Sequence, residues 1–540
     1  MSQSPVATDI CASLSEAIVG ALGRAGIEGV LPVLDRPARP EHGDWATNVA
    51  LVAAGRSGRK PRELADALAA DLRATLADHV AAVEVAGPGF VNFRLGPGWW
   101  ADLLRQVVDQ GTAGYARLDV LAGTRVDVEF VSANPTGPLH AGAGRWAAYG
   151  DSLCRVLERC GATVEREYFV NDRGGQVVRF GESLAARRRG EPVPEDGYQG
   201  DYVTAWAAEM PADADPVAWG CERAKRDIAE TLDLLGVHFD RWSSEKALVD
   251  DGTVDDTLRE LRERGAVYES EGALWLRSTD HGDTKDRVLV KSDGDLTYLL
   301  PDVAYHRDKF ARGFDLLVDV WGADHHGYVA RMQAAMQALG HDPAQLEVVL
   351  GQLVTLERDG QPVRLSKRTG DMLELRELLG AVGPDVARIV FLLQSIETHQ
   401  TVDLDRITRQ SSESPAFYVQ YAHARIASLE REATRQQVAR QPIGSCDLGL
   451  LVHEREAAVL RTLSELPDVV RAAAATRAPH QVCTWVRQLA QRFHAFYHDC
   501  PVLRHPEPAV VQARLWLVEA TRVGLAIGLD LLGIHTPDLM

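Results

Sequence analysis

SANPTGPLHAGAGR, residues Ser132–Arg145, is a Pro/Gly-rich segment set between a strand pattern and a helix pattern. Just before it, Val126–Val131 (VDVEFV) alternates as a strand does. Just after it, a helix runs to about Arg159. A strand that breaks into a Pro/Gly loop and then opens a helix aims backbone N–H groups and the positive end of the helix dipole at an anion. Gly142 and Gly144 permit close backbone approach, as for a flat adenine ring on the main chain, and His140 can donate to a phosphate oxygen. Alone, such a segment can also be a purely structural strand-to-helix connection.

Further along the chain, Leu316–Val320 (LLVDV) ends at Gly322 and reads as a second buried strand. Short strands alternating with helices from about 120 to 400 predict an α/β domain with a parallel sheet. Within it, roughly 165–275 is more polar, carries the loop Gly190–Gly200, and is expected to be an insertion. Residues 1–112 open with a helical pattern, pass the turn-rich Arg39–Asn48, and close with Val83–Leu95, two strands around Gly87-Pro88-Gly89. A small N-terminal α+β domain is the expectation. Residues 401–540 predict an all-α helical bundle: Ile407–Leu429 and Ala513–Leu532 are helical, the latter with Leu515, Val518, Leu525, Leu529 and Leu532 at 3–4–7 spacing.

At 540 residues, with 46% hydrophobic and 25% charged residues, the chain has globular composition and needs several cores. No stretch of about 18 apolar residues occurs, which predicts no membrane span. No basic segment precedes an apolar run near Met1, so no secretory signal and a cytoplasmic location are expected. Cysteines 11, 154, 160, 221, 446, 483 and 500 are odd in number and form no CxxC pair, which argues against a disulfide framework and a structural zinc. A net charge of −19 disfavours nucleic acid globally, although a binding face needs only a local patch. Only seven of the 58 basic residues are lysine, so a lysine inside a motif carries extra weight. Arg187-Arg188-Arg189 reads as solvated surface.

A second segment, Arg364-Leu-Ser-Lys-Arg-Thr-Gly370, follows an expected strand at Val348–Leu356 and places Ser366, Lys367 and Arg368 where they can clamp a phosphate. An HxGx loop opening an α/β domain and an SKR loop near its end resemble the HIGH and KMSKS signatures of class I aminoacyl-tRNA synthetases. The chain further resembles the arginyl-tRNA synthetase family through Glu41–Ala50, Ala86–Leu95, Glu129–Arg145, Glu167–Gln176, Lys291–His306, Gly322–Tyr328 (GADHHGY), Ser366–Gly370, Tyr418–Arg425 and Gly528–Met540.

That resemblance implies a class I Rossmann-like catalytic domain with an insertion, an N-terminal domain touching the tRNA elbow and a helical anticodon-binding domain. It implies L-arginine, ATP with Mg²⁺ and tRNA(Arg) as substrates, a monomer as the working form, and no membrane partner. His140 and Lys367 are expected to stabilise charge on the α-phosphate. Gly142, Ala143, Gly322, Asp324, Ser366 and Arg368 complete the ATP site. A guanidinium calls for carboxylates in fork geometry; Glu129 and Asp302 supply them, with Tyr298 one helical turn before Asp302, His326 from GADHHGY, and Asn134 at the α-amino or carboxylate end. Phe90 and Asn92 are the expected elbow contacts, and Tyr418, Tyr421 and His423 the anticodon-side contacts. No resident metal is implied. The sequence departs from the family at Ala143 (histidine in HIGH), at Arg364-Leu365 and at Ser414 (asparagine). A divergent paralogue supplying arginyl-adenylate or arginyl-tRNA to a specialised pathway would look much the same. A non-catalytic tRNA-binding paralogue would have lost His140 or Lys367. A plain nucleotidyltransferase would need neither the helical C-terminal domain nor the GPGFVNF segment.

Overall fold

The computed structural model describes residues 10–37, 39–77, 79–363, 373–408 and 415–539. Its N-terminal part contains β1 (Leu34–Asp35), β2 (Trp45–Thr47), β3 (Val80–Ala86) and β4 (Phe90–Leu95), paired antiparallel in the order β1–β2–β4–β3. The helix Pro61–Thr75 packs on this sheet through Leu64, Leu68 and Leu72 at helical spacing. The turn between β3 and β4 takes the backbone of Gly87 and Gly89 to positive φ, which glycine adopts without steric cost.

The middle of the chain is built on β5 (Arg125–Glu129), β6 (Thr163–Val170) and β7 (Arg241–Ser244). A separate antiparallel sheet follows, made of β8 (Val267–Ser270), β9 (Ala273–Leu276) and β10 (Arg287–Val290). With β11 (Leu316–Gly322) and β12 (Leu346–Gly351), the first three form a five-stranded parallel sheet in the order β12–β11–β5–β6–β7. Sequence order reverses on either side of β5, so the carboxyl ends of β5 and β11 flank a switch point, where open α/β sheets bind ligands. The helix Ala143–Arg159 lies against the sheet, and Gly150 makes this possible: a Cβ there would stand 2.1 Å from the Phe130 ring.

Two strands of this sheet, β6 and β7, fall inside the stretch 165–275 expected to be an insertion. The misreading has a physical cause. In β6, Glu165, Arg166 and Glu167 look like surface residues, yet each is paired: Arg166 with Glu158 at 2.7 Å, and Glu165 and Glu167 with Arg312. The excursion from the sheet is the set of helices Gly175–Arg188, Asp201–Glu209 and Pro216–Leu234. The strand expected at Val348–Leu356 is likewise two strands, β12 and β13 (Val354–Arg358); β13 pairs with β14 (Gln361–Pro362) and β15 (Gln400–Asp403). The break falls where buried Arg145 takes the Gln352 carbonyl at 3.1 Å, and those of Ser395 and Thr398 at 2.7 and 2.8 Å.

The C-terminal part is helical: Pro415–Arg435, Glu454–Ala475, His480–Asp499 and Pro508–Leu531. It is bonded to both other parts. Arg461 pairs with Asp44 at 2.5 Å, and the buried Tyr115 hydroxyl donates to the Leu463 carbonyl at 2.7 Å. Arg477 grips Glu347 on β12 through two bonds of 2.8 and 3.0 Å. The cysteines at 154, 160, 221, 446, 483 and 500 are buried and unpaired. Among the described residues, no helix is long and apolar enough to cross a membrane.

Candidate active site

At the carboxyl ends of β5, β6, β7 and β11 lies a cavity of about 420 Å³, walled by Glu129, Asn134, Phe169, Glu245, Tyr298, Asp302, Trp321, His325 and Tyr328 among others. Its floor is made by the loop leaving β5. There Val131 and Ser132 have φ of 69° and 38°. A left-handed β-branched residue is a real strain, of the kind that persists where surrounding bonds over-determine it. Ser132 supplies those bonds: its hydroxyl donates to Glu129 at 3.0 Å and accepts the Phe169 N–H at 3.0 Å. Asn134, next in the loop, donates to Gln176 at 2.8 Å.

The pocket wall is the helix Leu299–Ala311, which places Asp302 against the cavity. Asp302 accepts the Tyr328 hydroxyl at 2.6 Å, and burial pushes its carboxyl up to about 6. Glu245 opens the short helix after β7, is buried, and is pushed up to about 7 by burial and by the nearby Asp302 charge. Among the described residues, neither carboxyl is ion-paired with a Lys, Arg or His side chain. A cavity walled by two unpaired carboxyls suits a cation.

Glu129 is different, because Lys309 donates to its other oxygen at 2.8 Å from beneath the sheet. The acidic group Asp127, Glu165 and Glu167 is compact enough to suggest a cation, but Lys309 and Arg312 already meet its charge.

At the other end of the loop, the ring of His140 accepts the Ala143 N–H on Nδ1 at 3.1 Å. A neutral imidazole accepting there carries its proton on Nε2, so Nε2 is the donor. Ala143 is buried, and what it brings to the signature loop is its N–H rather than a side chain. Gly322 lines the cavity at the end of β11, with exposed Asp324 two residues on in a 3₁₀ turn. Tyr298 stands at the rim, 81% exposed.

From GADHHGY the cavity takes Gly322, His325 and Tyr328, whereas His326 is exposed and does not line it. This corrects the expectation for His326: the 3₁₀ turn Ala323–His325 rotates the chain before the next helix begins at His326. Glu245 and Tyr328 were missed. Tyr328 lay inside a quoted motif, and its partner is 26 residues away. Glu245 lay in the supposed insertion, where Ser244 capping the helix at Ala247 was the available signal. Ser366, Lys367, Arg368 and the departures Arg364, Leu365 and Ser414 lie outside the described residues.

Far from the cavity, Phe90 is 41% exposed at the start of β4 and, with buried Asn92, lines a cavity of about 380 Å³. On the helix Pro415–Arg435, Tyr421 is exposed and its hydroxyl accepts from Arg425 at 2.9 Å, while Tyr418 is half-buried beside His494. His423 is buried, its Nδ1 3.1 Å from the Pro537 carbonyl. It braces the C-terminal tail, which corrects its expected place on a tRNA-facing surface.

Family models match the chain in order: "Arginyl tRNA synthetase N terminal domain" over 9–95, "tRNA synthetases class I (R), catalytic domain" over 222–425 and "DALR anticodon binding domain" over 419–540. With the parallel sheet and its signature loop, this layout defines a class I aminoacyl-tRNA synthetase. A curated Arginine--tRNA ligase of Frankia alni is 46% identical over 98% of this chain and 100% of its own length. The chain belongs to the arginyl-tRNA synthetase family. A putative arginyl-tRNA synthetase structure from Campylobacter jejuni is similar with a TM-score of 0.74 and 31% identity, covering 83% of this chain and all of that one. The Thermus thermophilus arginyl-tRNA synthetase shares the fold with a TM-score of 0.75 at 23% identity, over 98% of this chain and all of that one.

Proposed function

We propose that the chain activates L-arginine with MgATP to arginyl-adenylate and transfers the arginyl group to the 3′ end of tRNA(Arg). The observation that carries this reading is the half-buried Asp302 carboxyl, held by Tyr328 at the wall of the cavity it shares with buried Glu245 and, among the described residues, paired with no cation. A buried carboxylate that costs stability when empty is matched by a guanidinium, which presents several donors in a fixed fork. Glu129 is the second carboxylate of the fork, Tyr298 lines the same pocket, and Asn134 holds the α-amino or carboxylate end. Uncharged amino acids leave the carboxylates unpaired, and such a site rejects them strongly without editing.

Activation is in-line attack of the arginine carboxylate on the α-phosphate. That carboxylate is ionised at neutral pH and needs no general base. Orientation and stabilisation of growing phosphate charge are therefore the enzyme's tasks. His140 donates from Nε2, and Lys367, with Ser366 and Arg368, neutralises the phosphates. Gly142, Ala143, Gly322 and Asp324 seat the nucleotide, with Mg²⁺ arriving as part of the substrate. Phe90 and Asn92 meet the tRNA elbow, and Tyr418 and Tyr421 the anticodon side.

The test is arginine-dependent ATP–pyrophosphate exchange, with and without tRNA(Arg), beside aminoacylation. Exchange and charging specific to arginine, both lost in His140→Ala and Lys367→Ala, are expected. Tight tRNA binding with neither reaction would overturn the reading.

A further inference from the structure

Neighbouring strands of the parallel sheet put like charges side by side. Glu129 on β5 is in register with Asp319 on β11 and with Glu167 on β6. Asp127, two residues earlier on the same face of β5, adds another buried carboxyl. Adjacent like charges on a sheet face destabilise it, and in a buried sheet the cost grows. The helix Leu299–Ala311 covers this face and answers it with one wholly buried lysine. The Lys309 ammonium lies 2.8 Å from Glu129, 2.9 Å from Asp319 and 3.0 Å from Asp127, with 0% of its side chain exposed.

The second cation of the group is His306. Its Nδ1 is 2.7 Å from the Asp302 carbonyl, which can only accept, and its Nε2 is 2.6 Å from Asp319. Both nitrogens therefore donate, and the ring is an imidazolium. Burial works against that charge, but Asp319 outweighs it and the ring's pKa is raised. Burial drives the Asp127 carboxyl well up, and the Lys309 ammonium 3.0 Å away opposes it. Arg312 meets Glu167. Lys309 thus ties Glu129 to Asp319 and Asp127, His306 holds the other oxygen of Asp319, and Glu129, Asp302 and Glu245 line the cavity.

We propose that Lys309 is a positioning residue of the amino-acid pocket, anchoring Glu129 from beneath the sheet so that its carboxylate meets arginine in one fixed plane beside Asp302. Lys309 does not touch the cavity and acts through Glu129. The two oxygens of Glu129 are set by Lys309 and Ser132, which fixes the plane the carboxylate shows to arginine. The inference rests on the arginine-charging reading above.

The experiment is aminoacylation by the full-length protein carrying Lys309→Met or Lys309→Arg. Without the cation, a proton must enter the group, and Glu129 loses its anchor. The expected result for K309M is an arginine KM raised about tenfold or more at neutral pH, set against an ATP KM within about threefold of wild type. The ratio of variant to wild-type arginine KM is expected to shrink as pH rises from about 7 to about 9 and the incoming proton leaves. K309R, which restores the cation, is expected to recover most of the loss. A folded K309M with unchanged arginine KM, or arginine and ATP KM rising together with no pH dependence, would overturn the proposal. Should K309M fail to fold, the double variant K309M/D127N, which removes a carboxyl with the lysine, is read by the same KM split and pH ratio. Wild-type protein that charges no arginine would sink the functional reading; a charging wild type with an indifferent K309M sinks only the role of Lys309.

Discussion

The Tyr328 hydroxyl donates to Asp302 Oδ2 at 2.6 Å across the mouth of the pocket, joining the helix that follows β11 to the helix Leu299–Ala311. The bond fixes one oxygen of a carboxylate that lines the cavity.

Tyr328→Phe removes that bond without changing the pocket's shape. A hydrogen bond to a charged group is worth about 1.5–3 kcal/mol, so arginine KM should rise roughly ten- to hundredfold. Steady-state aminoacylation at varied arginine measures it, and ATP KM should hold.

The pocket's pH response follows from its two raised carboxyls. Burial pushes the Asp302 carboxyl up to about 6 and the Glu245 carboxyl up to about 7, both above the ordinary carboxyl range. A raised carboxyl contributes stability below its unfolded pKa and loses it as pH climbs through the folded one. Arginine supplies the missing counter-charge, so its stabilising effect should be larger at about pH 8 than at about pH 5.5, and its KM should climb as pH falls across that range. Thermal melts with and without arginine at the two pH values measure the first, and steady-state kinetics the second. Glu245→Gln should remove the upper part of this response and keep the lower.

Arg145 shows what the helix Ala143–Arg159 does for the fold. Its fully buried guanidinium, pulled down to about 10 by burial, bonds the carbonyls of Gln352, Ser395 and Thr398. Arg145→Met leaves those carbonyls unanswered, at about 1–3 kcal/mol for each that water does not reach. A melting temperature several degrees lower is expected by calorimetry.

Much of this was legible in the sequence. The strand, Pro/Gly loop and helix around Ser132–Arg145 carry periods and turn residues that act locally, as do the strands flanking Gly87-Pro88-Gly89. The charge pairing was not legible. Glu167, Arg312, Lys309 and Asp127 meet across strands and across up to about 180 residues of chain, and a charged residue whose partner is remote reads as surface. The same blindness turned β6 and β7 into an insertion and hid Glu245. His326 and His423 fail for a smaller reason: their rotation about a turn or a helix is set by packing, not by the motif around them.

In the proposed function, the paired carboxyls of this pocket make the chain select arginine. Asp302→Asn keeps the size and the Tyr328 contact while deleting the charge, and kcat/KM for arginine in tRNA(Arg) aminoacylation reads the result. A fall of about a thousandfold or more, with wild-type melting behaviour, is predicted from the loss of a buried charge-assisted contact that sets specificity. A folded Asp302→Asn enzyme within about threefold of wild type would contradict the account.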